Sequence, residues 1–226
     1  MLDFLNAVIP NVMDKPDELW LSTCQTLYML AVSGVIAFVL GVFLGTVLTV
    51  TAPGAIMDNK KVFSALGGTI NVFRSIPFVI LLAALIPFSR FVVGTAIGTT
   101  GALPPLVVGI VPFFARQVES ALSGVDPGLV EAAKSMGSSN IGIIFRVYLK
   151  ESIPAIIRVT QITAISLIGL TAMAGAIGGG GLGDFAIRYG HQRGQTDVTY
   201  VTVLVILLMV GVIQYAGNYF IRKLSH

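Results

Sequence analysis

Asp126-Pro127-Gly128-Leu129-Val130-Glu131-Ala132-Ala133-Lys134-Ser135-Met136-Gly137 is the polar stretch around which the rest of this chain arranges itself. Asp126 followed by Pro127 reads as a helix start: a side-chain acceptor at the N-cap, then a residue whose φ is already helical. Gly137 reads as the residue just past the end, where a left-handed backbone closes a helix. The spacing predicts a helix over roughly 127–136. Ser138, Ser139 and Asn140 offer the cap of a second helix. In that helix Ile141, Ile144, Phe145, Tyr148, Leu149 and Ser152 share one face, Arg146 and Lys150 fall elsewhere, and Pro154 ends or bends it. Residues 123–158 thus form a structured polar loop in an otherwise oily chain.

The oil is quantitative. Of 226 residues, 55% are hydrophobic and 11% charged, and the mean hydropathy is +0.88. Soluble domains carry about 25% charged residues, so this chain has too few to cover a globular surface and belongs in a bilayer. Five nearly uncharged runs are long enough to cross, since about 20 helical residues span the hydrocarbon. They are 19–57 (best over 26–50), 62–89 with Arg74 inside it, 91–115, 159–183 and 198–221. Lipid offers the backbone no hydrogen bonds, and none of the runs alternates as barrel strands do, so each is expected to be a helix. The expected fold is all-α and polytopic, with five transmembrane helices in a single domain over 1–226.

Charge orients it. Lys60, Lys61, Arg116, Lys134, Arg146, Lys150, Arg158, Arg222 and Lys223 fall on one side of a five-pass chain; Lys15, Arg90, Arg188 and Arg193 fall on the other. The excess places the polar loop and C-terminus in the cytoplasm and the N-terminus outside. Arg74 is expected to reach the cytoplasmic face by snorkelling. Residues 1–19 lack a basic n-region and carry Asp3, Asp14, Asp17 and Glu18, so no cleaved secretory signal is expected. Leu2, Phe4, Leu5, Val8, Ile9 and Val12 fit a short interfacial helix. The scattered basic residues argue against nucleic acid, and a lone Cys24 excludes a disulfide framework.

Within the spans, Ser33, Ala37, Gly41, Gly45 and Thr49 recur every four residues, a small-residue stripe that lets another backbone approach closely. Pro77 and Pro87 in the second run, and Pro104, Pro105 and Pro112 in the third, are expected to kink or break their helices. Met173, beside Ala172, Ala174 and Gly175, is a flexible thioether among small residues; the residues alone fit both core packing and a plug in a narrow path. The glycine run 178–183 lacks the Gly-Lys-Ser/Thr of a phosphate loop and reads as a helix terminator and flexible turn. His191 and His226 lie too far apart in topology to share a metal. No catalytic set is present, and no acidic residue lies inside the five runs, which weighs against an ion-coupled carrier.

The 127–136 helix has what a docking element needs: small Ala132 and Ala133 for close approach, Leu129, Val130 and Met136 as apolar anchors, and Glu131 and Lys134 to fix register. An ordinary surface helix in a connecting loop has the same composition. Glu131-Ala132-Ala133, three residues, then Gly137 resembles the EAA loop of permease subunits of binding-protein-dependent ABC importers. In that family the motif runs on to Ile-x-Leu-Pro; here Val147-Tyr148-Leu149 stands in place and Lys150 replaces the proline, while Ile153-Pro154 resembles a second proline of the extended pattern. Asn71-Val72-Phe73-Arg74-Ser75-Ile76-Pro77-Phe78, Ile86-Pro87-Phe88, the stretch from Ala172 through Gly183, and Ile213-Gln214-Tyr215-Ala216-Gly217 resemble the methionine-uptake branch.

The resemblance implies a type I ABC importer permease fold in a bacterial inner membrane and a path at the interface of a homodimer. It implies coupling to two separate ABC ATPase subunits through Leu129, Glu131, Ala132, Ala133, Lys134, Met136 and Gly137. It implies a path or gate at Met173, Ala172 and Gly175, and an extracytoplasmic methionine-binding (lipo)protein as the donor. The permease would bind no cofactor itself, ATP belonging to the partner subunit, and would be non-catalytic. An importer for another amino acid and a stand-alone secondary carrier are the alternative functions.

Overall fold

The computed structural model describes residues 8–224. Leu2, Phe4 and Leu5 of the expected interfacial helix, and His226, lie outside the described residues. Among the described residues every regular element is helical. After α1 (Pro10–Met13), α2 runs without a break over Pro16–Thr51. At 1.5 Å per residue this is roughly 54 Å, longer than the 26–50 core expected. Then come α3 (Lys60–Ser75), α4 (Phe78–Ala84), α5 (Ile86–Val93), α6 (Gly98–Leu122), α7 (Pro127–Ser135), α8 (Asn140–Ile143), α9 (Leu149–Glu151), α10 (Ile153–Ala174), α11 (Gly181–Phe185) and α12 (Thr196–Leu224). Three π-helical turns, Ile144–Tyr148, Gly175–Gly179 and Ala186–His191, join neighbours in this series.

Four helical stretches are long and apolar enough to cross a membrane, and the bent pair α3–α4 completes five. The second crossing is therefore broken rather than kinked: α3 and α4 meet at 99°. Pro77 forces its predecessor out of helical geometry, and Ile76 is extended at φ −81°, ψ 123°. Pro87 lies in the first turn of α5, and Gly94 ends α5 at φ 76°. Arg74 occupies the last turn of α3 just before the break, where a cation meets the negative end of the helix dipole. Of the kink or break expected at Pro104, Pro105 and Pro112, the break does not occur, because α6 passes through all three. Its apolar window is 61% buried, the highest share of the four long spans. Packing on that scale offsets a lost hydrogen bond that a sparsely covered helix would not absorb.

The chain gathers into two compact units, each drawing on several helices. One comprises Met1–Val35, Pro77–Val107 and Ala164–Ile213. One buried apolar cluster in it is Val12, Phe185, Tyr189 and Val198. Beside it Asn11 donates its backbone N–H and its Nδ2 to the two oxygens of Asp197, at 3.0 and 2.9 Å. Lys15, Arg188 and Arg193 surround the Tyr189 ring at 5.3, 4.7 and 4.6 Å from its centroid. A hydrogen bond with Glu18, with burial adding to it, holds the Tyr189 phenol above its usual range.

The other unit comprises Ile36–Ile76, Val108–Thr163 and Gln214–His226. Here the partner of the small-residue stripe is α6. A Cβ on Gly41 would strike the Phe114 ring, and one on Gly45 would come within 2.7 Å of Ala115 O and Val118 Cβ. Arg116 of α6 binds Glu119 at 2.7 Å and donates to Gly67 O and Asn71 Oδ1 of α3 at 3.1 and 3.2 Å. Leu48, Ile70 and Ala115 form the apolar core beside this polar tie.

Gly45→Leu is expected to lower stability by about 1–3 kcal/mol through overpacking against the α6 backbone. Gly68→Ala, where an added Cβ meets nothing within 4 Å, is expected to hold or raise it by up to about 1 kcal/mol. Thermal unfolding in detergent measures both, and an unchanged midpoint for Gly45→Leu contradicts the close approach.

Candidate functional site: a capped polar helix and a glycine-broken span

The polar helix α7 is fixed at both ends by its own sequence. Asp126 Oδ1 accepts the Gly128 N–H at 2.8 Å, and Pro127 opens the first turn. At the other end Gly137 is left-handed at φ 76°. The Gly137 N–H donates to Lys134 O at 2.9 Å and the Ser138 N–H to Ala133 O at 3.1 Å. That pair of bonds is the Schellman closure, which satisfies the carbonyls the last turn leaves open. Ser139 Oγ then accepts the Gly142 N–H at 3.2 Å and starts α8. One helix end and a new start therefore fall within residues 135–140, which leaves α7 little freedom to tilt.

One face of α7 is committed to the chain itself. Val130 and Ala133, three residues apart, are buried with Ile143 in one cluster, flanked by Ile56, Val125, Val147 and Tyr148. Burial pushes the Tyr148 phenol above its usual range. Val130 therefore holds the helix in place, whereas its apolar character in the sequence suggests an anchor for a partner. Ala133 likewise packs inward. The other face carries Leu129, Glu131, Ala132, Lys134 and Met136, all exposed, with Met136 at 79%. All five belong to the solvent-facing part of α7 and its C-cap, within one unit.

The second loop helix differs from expectation in its middle. The π-helical turn Ile144–Tyr148 separates α8 from α9. A π turn takes more residues than an α turn and shifts the phase of the helix around it. Ile143 is buried, whereas Ile141 and Phe145, expected to share a face with Ser152, are exposed. Ser152 does sit inside, its hydroxyl donating to Ala121 O at 3.4 Å.

The glycine run ends one helix and turns the chain into the next. Helix α10 passes into the turn Gly175–Gly179, where Ile177 and Gly178 leave helical geometry, and Gly180 and Gly181 are left-handed. The chain then re-forms as α11, whose Gly181, Leu182, Gly183 and Phe185 are buried. The returning backbone lies directly on α10. Gly183 packs against the Ala172 backbone, and a Cβ on Gly175 would come within 2.5 Å of Asp184 N and 2.7 Å of Gly180 O. Ala172 is half-buried and Gly175 buried, so both are spent on this packing, while Met173 projects 48% exposed. A recess of about 70 Å³ beside the turn is lined by residues including Leu82, Ala102, Pro105, Ala174, Ile177 and Gly179; Met173 is not part of it.

Sequence reasoning passed over Gln25 and Thr26 of α2. They accept the Gly181 and Leu182 N–H groups at 2.8 and 2.9 Å. A polar pair inside an apolar run was the available signal. Among the described residues no group of three or more His, Cys, Asp or Glu is arranged to hold a metal ion.

Asp126→Ala removes the N-cap and Gly137→Ala strains the closure, each at about 1 kcal/mol. Hydrogen exchange of the α7 amides is expected to speed up about fivefold in either variant. Exchange unchanged in both contradicts a helix set by its caps.

Residues 37–226 match the family described as binding-protein-dependent transport system inner membrane component. The chain is 45% identical over 210 residues to the probable D-methionine transport system permease protein MetI of Vibrio cholerae, covering 93% of each chain. It is 51% identical over 209 residues to the methionine import system permease protein MetP of Bacillus subtilis, covering 92% of this chain and 93% of that one. Its fold is similar to that of the MetNI methionine ABC transporter in an inward-facing conformation, with a TM-score of 0.88 and 40% identity over 92% of this chain and 97% of that one. An amino acid ABC transporter crystallised with histidines, at 18% identity and a TM-score of 0.77 over 95% and 98% of the two chains, shares the fold alone. With its broken five-crossing helical fold and capped EAA-type helix, this chain belongs to the family of binding-protein-dependent transport-system inner-membrane components.

Proposed function

We propose that this chain is the membrane-spanning subunit of an ATP-driven methionine importer. The relatives' methionine names support the substrate, since no residue in the chain reads a thioether by its chemistry alone. The observation that carries the coupling role is the division of α7 into two faces. Val130 and Ala133 lock the helix to its own unit, and Leu129, Glu131, Ala132, Lys134 and Met136 are left for a partner. An exposed Met and Leu beside a small Ala give an apolar seat, and Glu131 and Lys134 fix its register. Gly137 serves the coupling by holding the cap, not by touching the partner.

In this reading the permease is non-catalytic and carries no cofactor of its own; ATP is bound and hydrolysed by two separate ABC ATPases. Residues 1–226 act as one permease domain, with 123–158 as its coupling loop, in a bacterial inner membrane. The excess of Lys and Arg on the loop side supports a cytoplasmic loop and C-terminus and an external N-terminus. Two copies of the chain form the path at their interface, because five crossings are few for an alternating route, and an extracytoplasmic methionine-binding (lipo)protein delivers substrate. When the ATPases close on ATP, the α7 helices of both copies move with them as rigid levers and reorient the spans. Met173 acts as a gate: a flexible side chain exposed on a segment whose neighbours Ala172 and Gly175 are fixed by packing.

The test is uptake of labelled methionine by proteoliposomes holding the permease with its ATPase. Ala132→Arg, on the exposed face, is expected to insert normally and to lower ATP-driven uptake and ATPase retention at least about tenfold, the effect of about 1.4 kcal/mol or more at the contact. Ala133→Arg is expected to fail differently, by breaking the Val130–Ala133–Ile143 core and destabilising α7 itself. Wild-type uptake in Ala132→Arg overturns the docking face, and ATP-independent methionine uptake driven by an ion gradient overturns the importer reading.

A further inference from the structure

The turn at residues 178–181 ends the fourth membrane helix and starts the short α11, and a helix start exposes N–H groups that lipid cannot satisfy. Gly180, at the N-cap of α11, has no side chain to offer. The first two N–H groups of α11 donate instead to adjacent residues of α2. Gly181 N–H meets Gln25 Oε1 at 2.8 Å, and Leu182 N–H meets Thr26 Oγ1 at 2.9 Å, each across 156 residues of sequence. The Thr26 hydroxyl spends its own proton on Ser22 O at 3.1 Å, so its lone pair is what faces Leu182. Thr26 is 3% exposed and Leu182 1%, which leaves no water to replace the bond.

The glycines are what let α2 come this close. A Cβ on Gly181 would lie 2.7 Å from Thr26 Oγ1 and 2.9 Å from Met29 Cε, and one on Gly180 would lie 2.9 Å from Gln25 Oε1. Two residues further on, Gly183 is packed on the backbone of Ala172, next to Met173. An unbroken series of contacts thus runs from Gln25 and Thr26, through the start of α11, to the 172–175 segment.

From this geometry we infer that Gln25 and Thr26 are positioning residues for the gate. They cap the broken fourth span from α2 and thereby fix where Met173 stands. The inference rests on the gate reading of Met173 under Proposed function. It extends that reading by naming the acceptors that hold the gate segment and the helix they belong to. Packing alone would survive replacement of the Thr26 hydroxyl by a methyl of the same shape; a cap would not.

The test uses the assembled complex with its ATPase in proteoliposomes, with Cys24→Ser as background. One series adds Met173→Cys and measures its thiol-labelling rate; a second keeps Met173 and measures methionine carried per ATP hydrolysed. Thr26→Val and Gln25→Leu are each expected to raise labelling about fivefold, the shift one lost net hydrogen bond supports, and to lower methionine carried per ATP by a similar factor. Thr26→Ser, which keeps the acceptor, is expected to match the parent in both. Parent-like labelling and coupling in Thr26→Val and Gln25→Leu overturn the inference. If Thr26→Val does not assemble, Gln25→Leu, altered at a half-buried position, decides by the same two readouts. A parent complex that hydrolyses ATP without carrying methionine overturns the transport reading instead, while the labelling series still reports on the cap.

Discussion

A backbone in lipid must find its hydrogen-bond partners within the protein, and every departure from continuous helix in this chain is answerable to that constraint. The second crossing breaks at Ile76–Pro77, where proline removes a donor and denies its neighbour helical geometry. The fourth breaks at the glycine turn, and there the orphan N–H groups are met by Gln25 and Thr26. The third crosses three prolines without breaking because it is the best covered of the long spans. Where a span breaks is therefore decided by what lies next to it as much as by the residue at the break.

The same accounting shapes the polar loop, but with local partners. Asp126, Gly137 and Ser139 satisfy the ends of α7 and the start of α8 within the loop's own sequence. A helix closed at both ends and seated by Val130 and Ala133 on Ile143 is held against unravelling. A docking element that could fray would absorb the motion of its partner. The exposed set, Leu129, Glu131, Ala132, Lys134 and Met136, lies outside the buried cluster that seats α7.

How much of the structure is legible in the sequence depends on how far each cause reaches. The caps of α7 were legible because Asp126, Pro127 and Gly137 act within a turn of themselves. The five apolar runs were legible because hydrocarbon thickness sets one length for all of them. The direction of α7 was not, since Val130 and Leu129 are equally apolar and only the presence of Ile143 decides which turns inward. The π turn at Ile144–Tyr148 interrupts the 3.6-residue pattern, and Ile141 and Phe145 are exposed while Ser152, expected on the same face, is buried. Glu119 lies beyond the apolar run that was counted, and its half-buried pairing with Arg116 depends on α3 packing alongside. The Gln25–Gly181 and Thr26–Leu182 bonds were hidden for the simplest reason: their partners are far apart in the chain and each looks ordinary on its own.

The central physical claim is that the outer face of α7 meets the ATPase. Its most direct measurement is the accessibility of a cysteine at position 136, a residue of that face that is 79% exposed, in a Cys24→Ser chain within sealed vesicles of known sidedness. A membrane-impermeant thiol reagent is predicted to reach it only from the cytoplasmic side, and bound ATPase is predicted to protect it. Labelling from the outer side, or labelling that bound ATPase leaves unchanged, would contradict it.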